Sequence, residues 1–146
     1  MSPRIAESGK PLSAEEVAAF EDRNGVALPD TYKQFLLRNN GGRVSPCNFD
    51  VPNWPGKWSS VAHFLKMTDE KYGLQYWYTE FDDRLPDVFL CIAVDPGGNF
   101  LCVGYESPYV GEIYYWDSSP DWNLTEETGT IFLVAKDVNE FLENLN

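Results

Sequence analysis

Two nearly unbroken apolar runs, residues 88–94 and 100–105, flank the five residues Asp95-Pro96-Gly97-Gly98-Asn99. This arrangement constrains the fold more than any other part of the sequence. Runs of six or seven apolar residues are strand-sized, and a Pro-Gly-Gly-Asn punctuation between them supplies the turn residues of a hairpin. Because neither run alternates with polar residues, both strands must be covered on both faces and therefore lie at the centre of a sheet.

Around this hairpin the hydrophobic period changes along the chain. Ser13 and Glu16 form the three-residue spacing of a capping box, and Val17 and Phe20 begin an apolar helical stripe that Asn24-Gly25 ends. A second helix is expected after Leu28-Pro29, with Tyr32, Phe35 and Leu36 at i, i+3 and i+4 before Asn39-Asn40-Gly41-Gly42. The period becomes two over Cys47, Phe49 and Val51, and again over Val61, His63, Leu65 and Met67, which predicts strands. Leu74, Trp77, Tyr78 and Phe81 place a third helix over about 69–83, closed by Pro86. Residues 112–117 and 131–134 read as further strands, and Val138, Phe141, Leu142 and Leu145 as a closing helix. Residues 118–130 read as an exposed loop. The expectation is one domain over 1–146, of α+β class, with an antiparallel sheet of about five or six strands and helices packed mainly on one side.

Composition narrows the function. The 23 acidic residues against 11 basic ones leave a net charge of −12, spread along the chain. Nucleic acid is a poor partner for such a surface, which lacks a basic stripe for phosphates. No apolar run reaches membrane-spanning length and the first residues carry no signal-peptide pattern, so a cytoplasmic protein without a membrane partner is expected. The acidity serves either solubility or complementarity to a basic protein. Cys47, Cys91 and Cys102 fit neither a disulfide framework nor a zinc site and are read as small apolar side chains in a reducing compartment. Register decides whether the last two meet across the hairpin.

Catalytic chemistry finds little support. His63 is the single histidine, which excludes mechanisms and metal sites needing two imidazoles, and pairing it with Cys47 would leave no third group to orient the pair. Gly41-Gly42 and Gly97-Gly98 lack the spacing of phosphate-binding loops, and Asp82, Asp83 and Asp87 lack that of a calcium loop. No catalytic residue, metal ligand or cofactor is expected.

The signatures Leu28-Pro29-Asp30-Thr31-Tyr32, Asn40-Gly41-Gly42, Asp95-Pro96-Gly97-Gly98-Asn99 and Gly111-Glu112-Ile113-Tyr114-Tyr115-Trp116-Asp117, followed by Phe141-Leu142 and Leu145, occur in fixed order. In that order they resemble the SUKH superfamily over residues 17–145. The resemblance implies an α+β fold. It also implies a role as an immunity protein that binds and neutralises a cognate toxin, which the acidity suggests is basic and which could be a nuclease. The fungal relatives imply an alternative, a regulatory or scaffold module; a small-molecule binding protein using the aromatic residues is a third reading.

Aromatic residues carry the expected site. Five tryptophans are many for this length, and tryptophan and tyrosine are common interface anchors. Alternation along 112–117 puts Tyr114 and Trp116 on one face and Ile113 and Tyr115 on the other. If helices cover only the Ile113 face, Tyr114 and Trp116 join Tyr105, Tyr109 and Trp122 in an exposed patch rimmed by Asp117 and Asp121. These seven residues are the expected partner-binding surface.

Overall fold

The structure is a computed structural model that describes residues 3–118 and 131–146. The central hairpin forms as its apolar runs dictate: β6 (Phe89–Val94) pairs antiparallel with β7 (Phe100–Gly104). Together with β5 (His63–Phe64), β8 (Ile113–Trp116) and β9 (Ile131–Ala135) it makes an antiparallel sheet in the order β5-β6-β7-β8-β9. Two smaller sheets pair β1 (Arg4–Ala6) with β2 (Arg43–Ser45) and β3 (Asn48–Asp50) with β4 (Trp58–Ser60). Four helices complete the described residues: α1 (Ala14–Asn24), α2 (Asp30–Arg38), α3 (Leu74–Glu80) and α4 (Val138–Glu143).

The local signals explain most of these boundaries. Ser13 Oγ accepts from the Glu16 amide at 3.1 Å while Glu16 Oε1 accepts from the Ser13 amide at 3.0 Å, the reciprocal bonds of a capping box. Gly25 closes α1 in the left-handed region at φ 66°. The helix expected over 69–83 is shorter than its apolar stripe, because Gly73 is extended at its start and Phe81 already lies beyond its last turn. The strand expected around 61–67 contracts to two residues in β5, and β1 has no apolar alternation to announce it.

Each of the two turn signatures is a polar knot. Asn40, buried, donates from Nδ2 to the Lys10 carbonyl at 2.8 Å and accepts the Met67 amide on Oδ1 at 2.7 Å, tying the N-terminal arm to the segment after β5. At the β6–β7 turn the Asp95 carboxylate accepts from the Gly97 and Asn99 amides at 2.9 and 2.7 Å, from Ser59 Oγ at 2.9 Å and from Tyr115 Oη at 2.5 Å. One buried carboxylate thus joins the turn, β4 and β8, with its acceptor capacity filled.

The sheet is covered on both faces. On one, Phe64 packs against Phe35 of α2 and Phe141 of α4, and Tyr115 packs against Phe49 of β3 and Trp54. On the other, α3 packs against β6, Trp77 reaches Phe100 of β7, and Phe81, just past the helix, meets both Phe100 and Trp116 of β8 at centroid distances of 5.0 and 4.8 Å.

Candidate partner-binding surface

The second face of the sheet is where the expected aromatic patch divides. Register sets Phe100 opposite Trp116 and Cys102 opposite Tyr114, so these four side chains share the face that α3 crosses. Phe81, at the end of α3, covers the Trp116 end, whereas Tyr114 lies against Phe89 and Tyr109. Trp116 is therefore a core residue with 0% exposure, enclosed by Phe81 and Phe100 with the Arg84 guanidinium 5.6 Å from its ring. Its expected place on an exposed patch is overturned by the helix on its face. Asp117 is also diverted, since its carboxylate accepts Trp54 Nε1 at 3.2 Å. Asp121 and Trp122 lie outside the described residues.

Tyr109 and Tyr114 do come together. Their rings cross at 82° with centroids 5.9 Å apart, and Phe89 of β6 closes the cluster at 5.1 Å from Tyr109 and 5.0 Å from Tyr114. The loop between β7 and β8 places Tyr109 by packing its backbone directly on Gly104, where a Cβ would collide with the Tyr109 carbonyl. Both tyrosines are half-buried. Val110 beside them is 55% exposed, and Leu133, opposite Tyr114 on β9, is 46% exposed. Leu133, Val110 and Phe89 were not among the expected site residues. A signal existed for Leu133, because its position in an apolar strand following a polar loop suits a sheet edge.

Carboxylates rim this corner, although not those expected. Tyr114 Oη donates to Glu112 Oε1 at 2.9 Å. Burial, and then this carboxylate, push the Tyr114 phenol above its ordinary range. Tyr105 is buried at the inner edge of the corner. Burial first and then Tyr78, Asp87 and Glu106 raise its phenol too, which places those two carboxylates around it. The corner presents neutral aromatic and aliphatic surface within a border of Asp87, Glu106 and Glu112, the centre-and-rim composition of a protein interface.

A second concavity lies at the opposite end of the same face. It encloses about 520 Å³ between Tyr72, Trp77, Phe81, Phe100 and the turn residues Asp95 and Pro96, with His63 and Arg84 at its walls. Burial, followed by Arg43 and Lys66, holds the His63 imidazole below its ordinary pKa. Among the described residues no group of three or more His, Cys, Asp or Glu side chains is placed to hold a metal ion, and no helix is long and apolar enough to cross a membrane.

A family model described as the SMI1 / KNR4 family (SUKH-1) matches residues 11–144, from just before α1 to the end of the last helix. No curated protein matches the chain significantly.

Proposed function

The chain belongs to the SMI1 / KNR4 family (SUKH-1), and on that premise we propose that it is an immunity protein that acts by binding and blocking a cognate toxin. Family membership carries the reading. The surface supports it: an exposed aromatic and aliphatic corner framed by acids, on a chain of net charge −12, suits a basic protein partner. Direct occlusion asks for no catalytic group. On this reading Tyr109, Tyr114, Val110 and Leu133 supply the buried centre of contact and Asp87, Glu106 and Glu112 its polar edge.

The test is to co-express the chain with the protein encoded beside its gene. A stoichiometric complex that copurifies, together with rescue of growth from that protein's toxicity, is the expected result. The family's regulatory members favour a second reading, a module that binds an endogenous protein. A gene neighbourhood without a toxin, and a growth defect on deleting this gene alone, would establish that reading in place of the first.

A further inference from the structure

Cys91 on β6 and Cys102 on β7 are paired across the central hairpin with their sulfurs 3.6 Å apart. Their register can be classified from the neighbouring bonds. The Tyr105 amide donates to the Val88 carbonyl at 2.8 Å, so 88 and 105 form a hydrogen-bonded pair. Pairs alternate in type along an antiparallel ladder. The pairs 89–104 and 91–102 are then of the non-hydrogen-bonded type, in which opposing Cα atoms approach to about 4.5 Å and side chains are closest. That separation falls within the span a disulfide bridges, roughly 4.4 to 6.8 Å. Both thiols are buried. The bulge that follows, between Cys91 and Ala93, leaves the local ladder irregular and gives β6 room to adjust.

We propose that Cys91 and Cys102 form an oxidation site that closes to a cross-strand disulfide when the protein meets peroxide. In the first step one cysteine sulfur attacks a peroxide oxygen, the O–O bond breaks, and the thiol becomes a sulfenic acid with release of water. In the second the partner thiol attacks the sulfenic sulfur and expels a second water as its own proton is lost. Two S–H bonds and one peroxide are consumed for one S–S bond and two waters.

Access sets the rate. The Cys91 side of the pair opens on a crevice of about 10 Å³ bounded by Trp77, Tyr78, Phe81, Leu85 and Tyr105. This is near the lower limit for holding a single water, so even a small oxidant reaches the pair slowly and a bulky disulfide is excluded unless α3 lifts. Burial and the neighbouring Cys102 disfavour the Cys91 thiolate, which makes closure slow. Cys47 lies apart and only half-buried.

The experiment treats the folded full chain carrying Cys47→Ser with hydrogen peroxide and follows intact mass, free thiols and peptide maps. Expected is the loss of two hydrogen masses, both thiols disappearing together, a linked Cys91–Cys102 peptide pair, and reversal by dithiothreitol. With Cys102→Ser added to that Cys47→Ser chain, the chemistry stops at a sulfenic acid on Cys91, which dimedone traps when the chain is unfolded in urea after the peroxide is removed. Stepwise addition of oxygen without a linked peptide in the Cys47→Ser chain overturns the proposal. So does a native chain whose thiols survive peroxide while the urea-unfolded chain cross-links.

Discussion

At the residue scale, one buried and one half-buried side chain separate what packing needs from what chemistry tolerates. Tyr32 belongs to the Leu-Pro-Asp-Thr-Tyr signature and is 1% exposed, yet its hydroxyl meets no hydrogen-bond partner among the described residues. Burial drives its phenol well above the usual range, so it stays neutral. The ring fills the core beside Phe35 while the oxygen carries a desolvation cost that no described protein group offsets. Tyr32→Phe should therefore keep the fold and raise stability by about 1 kcal/mol, within the range for removing an unsatisfied buried hydroxyl; urea unfolding of the variant checks this.

His63 gives a pH dependence of fixed sign. Its folded pKa lies below the unfolded value of 6.5, because of burial and then the Arg43 and Lys66 charges. The unfolded chain binds the proton more readily, so this contribution to stability is complete above pH 6.5 and declines as the pH falls toward the folded value. His63→Gln should flatten that part of the profile, measured as thermal midpoint between pH 7.5 and 5.5. An unchanged slope would assign the acid sensitivity to other groups.

At the scale of elements, α3 decides the fate of the aromatic residues. Trp116→Ala should lose about 3 to 5 kcal/mol of stability, the cost of deleting a large core aromatic, with any binding defect following from unfolding. Leu133→Asp, at an exposed position on β9, should leave the thermal midpoint within about 2 °C while weakening partner binding at least tenfold, read by calorimetry. A Leu133 variant that binds normally would remove the corner from the interface. The two variants together distinguish packing from contact.

The contrast also shows what the sequence could convey. The capping box, the central hairpin and the closing helix were legible because each is announced by local chemistry: a reciprocal hydrogen bond, uninterrupted apolar runs, a 3.6-residue stripe. The face of Trp116 was not, since strand alternation tells which side chains point together but leaves open what lies over them. A clue was nevertheless present. Strands β6 and β7 read as buried on both faces, which requires a cover on the second face, and the stripe of Trp77 and Phe81 was its natural source. The short strands β1 and β4 escaped because three residues cannot display a period, and the expected strand around His63 formed but kept only the two residues of β5. Of the expected site, Tyr109 and Tyr114 survive as neighbours; Asp87 and Glu106 reach the corner through long-range folding that no local pattern records.

For the whole molecule, the net charge of −12 acts at a distance that contacts do not. If it steers a basic partner, association should slow steeply as salt rises from low to physiological levels, where the screening length contracts to about 8 Å. Dissociation, governed by the apolar corner, should change far less. Stopped-flow association across a salt series tests this, and a rate indifferent to salt would return the acidity to solubility.

The knot at Asp95 has a practical consequence for anyone engineering this chain. Its Pro-Gly-Gly-Asn composition would ordinarily recommend the β6–β7 turn as a site for an inserted epitope or a fluorescent label. Yet those few residues clamp a carboxylate shared with Ser59 and Tyr115, and Asn99 also receives the Ser118 amide at 3.0 Å. An insertion there would cut one strut common to three strands at once. The loop between β7 and β8, whose Glu106, Ser107 and Pro108 are exposed, leaves that strut intact, but a graft there would sit on the proposed partner-binding corner and block binding while the fold persists.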